Sequence, residues 1–263
     1  DRPGWQSSLL APLGALYAAG TARRVARPPA HRASVPVICI GNLNVGGPGK
    51  TPTVSALTER LAGLNVHIVS RGHGGSEEGP VQVNPSHHTA ADVGDEPLLL
   101  AAFAPTWVSK DRALGVQRAE AAGASVILLD DGFQNPSVAK SLSFVVVDAA
   151  VGFGNGRTLP AGPLREPVAA GLARADAVIS IGLPADQAGE FRALWDEFEA
   201  APVDFLYLKA TEGRDWKDPR FLENWREATT RGWTVGAYHF YRLCRPGAEQ
   251  AQNFIQSVEV RAG

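Results

Sequence analysis

The stretch VPVICIGNLNVGGPGKT, residues 35–51, decides the fold of this chain. Residues 35–40 are apolar enough for a buried strand, and a glycine-rich turn leads from them into a helix that we expect over residues 51–61. Backbone N–H groups of such a turn and of the following helix N-terminus bind phosphate oxygens. The pattern predicts a P-loop in which Lys50 contacts the β- and γ-phosphates and the Thr51 hydroxyl binds Mg²⁺.

The turn departs from the usual P-loop pattern at one position, where Asn44 stands in place of glycine. Asparagine tolerates left-handed backbone angles better than most residues, so the loop can still form. The alternative is a strand-to-helix turn that binds no ligand. The predicted nucleotide-binding set comprises Asn44, Gly46, Gly47, Gly49, Lys50 and Thr51.

A pair of adjacent carboxylates follows a second apolar run. Residues 125–129 read SVILL, and Asp130 and Asp131 come directly after them. Two neighbouring carboxylates at the end of a buried strand are costly unless a cation or hydrogen-bond donors satisfy them. We therefore predict that this pair binds the magnesium of a nucleotide; the alternative is a solvated Asp-Asp-Gly turn.

Short apolar runs alternate with helical segments through most of the chain, which predicts an α/β fold, a P-loop NTPase-like parallel sheet with helices on both faces. Two long loops, residues 72–94 and 152–167, follow the carboxyl ends of strands, where open sheets of this kind bind ligands. The expected strands cover residues 35–40, 66–70, 106–110, 125–129, 144–147 and 177–181, and the expected helices cover residues 51–61, 96–103, 112–122 and 188–198.

The composition changes near residue 201, after which half of the six tryptophans and three of the four tyrosines occur. We predict a domain over residues 1–200 and a short second segment over residues 201–263. In that second segment we expect strands over residues 204–209 and 234–241 and helices over residues 218–230 and 247–257.

Net charge and cysteine content give no support for a nucleic-acid-binding protein or for a disulfide-rich fold. A net charge of −2 and a pI of about 6.3 give no indication of nucleic-acid binding. The two cysteines, Cys39 and Cys244, match no metal-binding spacing, and we expect both to be reduced thiols. The chain of 263 residues contains no methionine, even at position 1, so we expect a processed, partial or engineered chain.

Residues 9–19 form an apolar stretch that is followed by a cluster of arginines. An apolar helix beside basic residues is suited to an anionic membrane surface, and the alternative is a helix packed on the body with solvated arginines. The arginines are Arg23, Arg24, Arg27 and Arg32.

Five motifs occur in order along the chain: GNLNVGGPGKTP (41–52), SRGHGG (70–75), VGDEP (93–97), LLDDGFQN (128–135) and LPAGPLREP (159–167). Together they give the chain, from about residue 5 to about residue 200, a resemblance to the tetraacyldisaccharide 4'-kinase family. The resemblance implies ATP and Mg²⁺ as cofactors and the lipid A precursor disaccharide as acceptor. It also implies a peripheral location on the cytoplasmic face of the bacterial inner membrane.

The resemblance also implies roles for individual residues. Asp95 matches the proposed catalytic base, which takes the proton from the 4'-hydroxyl, and Glu96 joins the Asp130–Asp131 pair in organising Mg²⁺. Arg165 and Glu166 order the site, with Arg165 neutralising charge on the transferred phosphoryl group. The alternatives are that Asp95 caps the helix that follows it and that Arg165 and Glu166 form a surface ion pair.

Two departures from the family leave the function open. Asn135 stands where the family has histidine, and it cannot titrate near neutral pH. We find no match to the second lobe into which the family continues. The alternatives are therefore a lipid kinase, active or impaired, and a nucleotide-binding module without turnover.

Four further motifs occur at the end of the chain: YLKATEG (207–213), DPRFLENW (218–225), GWTVGAYHFY (232–241) and GAEQAQNFI (247–255). They resemble a fragment of a glycoside hydrolase family 25 lysozyme, which implies a joined or chimeric chain and, if this segment sets the destination, secretion. A peptidoglycan-cleaving lysozyme is therefore a third alternative function. Glu212 and Tyr238 would line a sugar subsite in a whole barrel, but the carboxylate pair that glycoside hydrolysis requires is not found in the sequence.

Overall fold

The computed structural model describes residues 4–46, 49–148, 151–181, 205–212, 216–217, 221–230, 234–240 and 247–258. The chain forms two compact units. The first comprises Asp1–Val146 and Phe153–Asp176, and the second comprises Val147–Gly152 and Ala177–Gly263.

The first unit is an α/β fold, and the last two residues of its strand β6 belong to the second unit. Its elements in chain order are α1 (Trp5–Val25), β1 (Val37–Gly41), α2 (Lys50–Arg60), β2 (Val66–Ser70), β3 (Val81–Gln82), α3 (Ala90–Val93), α4 (Asp95–Leu100), β4 (Thr106–Val108), α5 (Arg112–Ala121), β5 (Val126–Asp130), β6 (Leu142–Asp148) and α6 (Val168–Leu172).

The strands of the first unit run in the order β6-β1-β5-β2-β4-β3, and every pair is parallel except β3 with β4. The central strands are Val, Ile and Leu-rich because both of their faces are covered, and β2 and β5 are buried along their whole length. Since β1 and β5 are neighbours with Ile40 opposite Asp130, the loops that follow the two strands start side by side. The P-loop and the acidic pair thus meet at one edge of the sheet.

The second unit contains a smaller parallel arrangement. Its strand β8 pairs in parallel with β7 and with β10, and in antiparallel fashion with β9. Ala210 and Phe221 form its buried cluster, against which Trp225 packs. The elements are β7 (Ala177–Ile181), β8 (Phe205–Glu212), β9 (Trp216–Lys217), α7 (Phe221–Thr230), β10 (Thr234–Phe240) and α8 (Gly247–Val258).

The predicted fold class is confirmed, and the predicted strands and helices within the described residues are present with small shifts of their ends. The loop over residues 72–94 contains the short elements β3 and α3, which the sequence did not predict. The predicted helix over residues 188–198 lies outside the described residues, and so does Cys244, while Cys39 is buried and free. The predicted boundary at residue 200 stays a prediction; the compact units instead group β7 with the segment after it.

Helix α1 lies against the loop that precedes α6. The Thr158 hydroxyl donates to the Gly14 carbonyl at 2.8 Å, and the Ser7 hydroxyl donates to the Ala161 carbonyl at 2.6 Å. Gly14 and Thr21 are buried on this side of the helix. Large apolar side chains elsewhere on α1 are exposed: Trp5, Leu9, Leu13, Leu16 and Tyr17. Among the described residues, none of the helices combines the length and apolar character needed to cross a bilayer.

Close packing at the end of β1 requires glycine at position 41. A Cβ built on Gly41 would lie 2.4 Å from the Phe133 Cβ, whereas one built on Gly20 of α1 would contact nothing within 4 Å. We expect Gly41→Ala to lower the free energy of unfolding by about 1–3 kcal/mol, since a packed core resists an added methyl group. Gly20→Ala should be neutral or stabilising by up to about 1 kcal/mol, because alanine favours a helix. Urea unfolding of both variants checks this, and equal midpoints would contradict it.

Candidate active site

The P-loop is shaped by two glycines with left-handed backbone and by a network around one carbonyl. Gly46 and Gly49 have φ of 78° and 101°, values that strain a side-chain-bearing residue. The Gly46 carbonyl accepts from the Asn42 side chain at 2.8 Å and from Lys50 Nζ at 3.0 Å. Lys50, 7% exposed, is the first residue of α2, so its ammonium is held inside the curve of the loop.

The predicted residues Asn44, Gly46, Gly49, Lys50 and Thr51 therefore fall within one turn, and Gly47 lies outside the described residues. Thr51 is buried in the first turn of α2, the position of the hydroxyl that binds magnesium in P-loops. The placement of the set agrees with the prediction, although ligand binding by it stays a prediction.

The second long loop is bonded directly to the P-loop. The Val45 N–H donates to the Pro163 carbonyl at 2.8 Å, and the Arg165 N–H donates to the Leu43 carbonyl at 2.7 Å. Asn44 forms an isolated antiparallel bridge with Leu164 between these two bonds. This short ladder fixes residues 163–165 beside the phosphate turn.

Asp131 lies between two cations at this point. Its carboxylate accepts two hydrogen bonds from the Arg165 guanidinium, at 2.8 and 3.2 Å, and lies 4.0 Å from Lys50 Nζ. Burial acts to raise the pKa of Asp131, but the charges of Lys50 and Arg165 prevail and hold it below its ordinary value. Asp131 also has φ of 54°, the one positive φ among the described residues other than glycine. The carboxylate is thus ionised and rigidly aimed at the P-loop lysine.

Asp130 has a different environment. It is 1% exposed, and its Oδ2 accepts from the Ser70 hydroxyl at 3.0 Å, while its buried Oδ1 has no hydrogen-bond partner among the described residues. Burial, with the nearby charges of Glu96 and Asp131, raises the pKa of Asp130 to about 6. A buried carboxylate oxygen without a donor is costly and fits a position that faces a cation or its water shell.

A magnesium ion fits the residues at this edge. No group of three or more His, Cys, Asp or Glu side chains arranged for a metal occurs in the part of the chain that the structure describes. Mg²⁺ keeps several waters and is commonly held by one or two carboxylates together with substrate phosphates, so a full protein cage is unnecessary. The residues that would hold it are Thr51 and Asp130, with Asp131 and Glu96 adding negative charge.

Asp95 and Glu96 are exposed at the start of α4. The helix cap is Gly94, with φ of 89°, and the Asp95 carboxylate accepts from the neighbouring Glu96 N–H at 3.0 Å. The alternative that Asp95 is the cap of this helix is therefore wrong. The charge of Glu96 contributes to the raised pKa of Asp130, while a role of Glu96 in organising Mg²⁺ stays a prediction.

Arg165 and Glu166 do not pair with each other, so the alternative of a surface ion pair is also wrong. Arg165 binds Asp131, while Glu166, 3% exposed, accepts from the Arg174 guanidinium at 2.7 and 3.0 Å. The Gln134 amide joins the two segments, because its nitrogen donates to the Asn42 carbonyl at 2.9 Å and to Glu166 at 3.0 Å. Glu166 thus supports the P-loop through Gln134.

Sequence reasoning missed Arg112. Its guanidinium is buried and donates to the backbone carbonyls of Asp130 at 3.0 Å and Asp131 at 3.1 Å. These bonds fix the backbone on which the two carboxylates are presented. A basic residue at the start of α5 was a weak signal, since arginines at helix ends are usually solvated.

The fold and this site define the class of protein. A P-loop whose lysine faces carboxylates at the end of the adjacent parallel strand is the arrangement of P-loop nucleotide-binding proteins. Within that class, the family model described as tetraacyldisaccharide-1-P 4'-kinase matches residues 6–228, and the chain belongs to this family.

Individual relatives agree with the family. The tetraacyldisaccharide 4'-kinase of Dinoroseobacter shibae is 69% identical over 197 residues, which cover 74% of this chain and 58% of the relative. The corresponding kinase of Jannaschia sp. is 61% identical over 201 residues, covering 76% of this chain and 61% of the relative. The chain thus spans about 60% of the length of these curated relatives.

A solved structure of "apo" form LpxK from Aquifex aeolicus in complex with ATP superposes with a TM-score of 0.64 at 26% identity, covering 90% of this chain and 82% of that chain. The family match also extends to residue 228, beyond the predicted end near residue 200. The lysozyme resemblance of the end of the chain is not supported by these comparisons, and the side chains of Glu212 and Tyr238 lie outside the described ones.

The raised pKa of Asp130 makes the stability of the ligand-free protein depend on pH. Because the folded pKa of about 6 exceeds the ordinary 3.8, the folded state binds the proton more tightly, and stability falls as pH rises between these values. Asp130→Asn should remove this loss and raise the free energy of unfolding at pH 8 by up to about 3 kcal/mol. Urea unfolding at pH 5 and pH 8 measures the difference.

The exposed Glu59→Gln variant of α2 is the control for that experiment and should unfold as the original chain does at both pH values. The Asp130→Asn variant should also bind Mg²⁺ with nucleotide more weakly, because the amide that replaces the carboxylate carries no charge. If Asp130→Asn were less stable than the original chain at pH 8, this account of the buried carboxylate would be contradicted.

Proposed function

We propose that this chain transfers the γ-phosphoryl group of ATP to the 4'-hydroxyl of a tetraacyldisaccharide 1-phosphate, the lipid A precursor. The observation that supports this most strongly is the meeting of Lys50, Asp131 and Arg165 at the P-loop of a member of the 4'-kinase family. In-line phosphoryl transfer depends on positioning and on stabilising charge, and these residues supply both.

Lys50 and Arg165 are the cations that meet the phosphate chain. Lys50 Nζ donates to a backbone carbonyl in the ligand-free loop, and γ- and β-phosphate oxygens would replace that neutral acceptor with a charged one. Arg165 approaches from the opposing loop and neutralises charge that develops on the transferred group. Magnesium, when bound by Thr51 and Asp130, supplies further charge neutralisation on the phosphates.

Asp95 is the proposed base for the acceptor. It is exposed at the start of α4, beside Glu96, so a sugar hydroxyl can reach it from solvent. The proton of the 4'-hydroxyl would pass to the Asp95 carboxylate as the oxygen attacks the γ-phosphorus, and the bond from that phosphorus to the β–γ bridging oxygen would break to release ADP. Asp130 is buried and would hold the metal instead, so the two carboxylates differ in role because they differ in exposure.

A nucleotide-binding module without turnover is the second candidate. Both candidates require the P-loop to bind ATP with Mg²⁺, and they differ only in transfer to the acceptor.

We further propose that α1 brings the protein to a membrane surface where the lipid acceptor resides. Leu9 and Leu16 are each 71% exposed, and Trp5 is 75% exposed, on a helix that ends with Arg23 and Arg24. Exposed apolar side chains with adjacent cations bind an anionic lipid surface. The helix is fixed to the loop that carries Arg165, so the surface and the site lie on the same unit.

Two substitutions separate binding from transfer. Lys50→Ala should weaken binding of ATP with Mg²⁺ and lower transfer by about 100-fold or more, because it removes the buried cation of the loop. Asp95→Asn should lower transfer by a similar factor with nucleotide affinity nearly unchanged, since it removes only the base. Calorimetric titration with ATP and a radiolabel transfer assay on tetraacyldisaccharide 1-phosphate measure the two quantities.

The control is Lys110→Ala, which removes an exposed lysine that pairs with Glu78. It should bind and transfer as the original chain does. Nucleotide binding without transfer in the original chain would establish the module instead of the kinase. Unchanged nucleotide affinity in Lys50→Ala would refute the site itself.

Replacement of Leu9 and Leu16 by Gln should reduce co-sedimentation with anionic vesicles by about tenfold or more, because burying each leucine contributes about 1.5–3 kcal/mol. Leu64→Gln, at a position that is 52% exposed away from α1, is the matched control and should bind as the original chain does. Equal sedimentation of all three proteins would exclude α1 as the membrane contact.

A further inference from the structure

A second basic pocket lies in the first unit, apart from the P-loop lysine. It has a volume of about 210 Å³ and is bounded by the end of α1, by the segment 133–140 and by the start of β6. Its lining includes three cations, Arg27, Lys140 and Arg174, and no aspartate or glutamate. Phe133 and Ser143 are among the other lining residues.

Lys140 contributes a partly buried ammonium to the pocket. Its ammonium donates to the Asn135 carbonyl at 2.6 Å, and within the described part of the chain no carboxylate lies within ion-pair distance of it. An ammonium has three donors, so two remain for a ligand. Burial, despite the opposing effect of Cys39, lowers the pKa of Lys140, and the charge of Arg174 adds to the lowering.

Arg174 is held in a fixed orientation at the side of the pocket. Its guanidinium lies over the Phe133 ring, 4.8 Å from the ring centre, and its terminal nitrogens donate to Glu166 at 2.7 and 3.0 Å. Glu166 offsets one of the three charges and is itself not part of the lining. The pocket therefore retains positive charge from Lys140 and from the exposed Arg27 at its mouth.

We propose that this pocket binds a phosphomonoester, with the phosphate contacted by Lys140 and Arg27. A phosphomonoester carries about −1.5 to −2 charge at neutral pH, which matches two cations better than a carboxylate or a phosphodiester does. A pocket of 210 Å³ is several times the roughly 30 Å³ that one water occupies in the liquid, so a tetrahedral phosphate and bridging waters fit.

The phosphate can be free in solution or can belong to a lipid headgroup. The pocket adjoins the end of α1, whose exposed leucines we assign to the membrane surface, so a headgroup has a route to it. The inference does not depend on phosphoryl transfer, because none of the residues assigned to the transfer step lines the pocket.

The test compares Lys140→Met and Arg27→Gln with Arg118→Gln. Arg118 is exposed on α5 and does not line the pocket, and Arg118→Gln makes the same change in net charge as Arg27→Gln. The first probe is inorganic phosphate, whose binding is measured by ³¹P titration. The second is a vesicle of phosphatidylcholine with phosphatidic acid, whose binding is measured by co-sedimentation. Reference vesicles contain phosphatidylglycerol in place of phosphatidic acid. Lys50→Ala is titrated in parallel, because the P-loop is a phosphate site of its own.

We expect Lys140→Met to weaken the phosphate interaction about tenfold or more and Arg27→Gln to weaken it severalfold, with Arg118→Gln unchanged. Lys50→Ala should leave phosphate binding in this pocket unchanged, because Lys50 does not line it. If the pocket variants bind inorganic phosphate more weakly than the original chain but bind vesicles equally, the ligand is a free phosphate. If they differ from the original chain only in binding to phosphatidic acid vesicles, the ligand is a lipid headgroup. Equal behaviour of Arg27→Gln and Arg118→Gln with both probes, together with unchanged phosphate binding in Lys140→Met, would overturn the proposal.

Discussion

The two hydrogen bonds between Asp131 and Arg165 are the interaction on which the rest of the site depends. They connect the end of β5 to the long loop over residues 152–167, and the same carboxylate lies 4.0 Å from the P-loop lysine. The backbone of Asp131 is in the left-handed region, a conformation that costs about 1–3 kcal/mol in a residue with a side chain. Strain of this kind persists only where the surroundings fix it, and Arg112 does so by binding the carbonyls of both aspartates.

The neighbouring contacts explain why two adjacent aspartates behave differently. Asp131 faces two cations and stays ionised, whereas Asp130 is buried with one oxygen lacking a donor, and its pKa is raised to about 6. A cation in front of Asp130 would offset its cost of burial. One carboxylate of the pair would therefore be available to a metal, and the other binds the cationic side chains.

Much of this could be predicted from sequence because it rests on local chemistry. The buried strand, the glycine turn and the Lys-Thr pair are contiguous, so their physics is contained in residues 35–51. Long-range partners were beyond that reasoning. The sequence around each residue does not show that Arg165 binds Asp131, that Glu166 binds Arg174 or that Arg112 is buried. These features depend on segments that only the folded sheet brings together. The short β3 and α3 were missed because two to four residues carry no readable periodicity.

The most direct measurement is a crystal structure of this chain with Mg²⁺ and a non-hydrolysable ATP analogue. Our account predicts that Lys50 Nζ leaves the Gly46 carbonyl for the β- and γ-phosphates, with the metal between Thr51 and Asp130 and with Arg165 beside the γ-phosphate. Triphosphate bound elsewhere on the molecule, with Lys50 still bonded to Gly46, would contradict it.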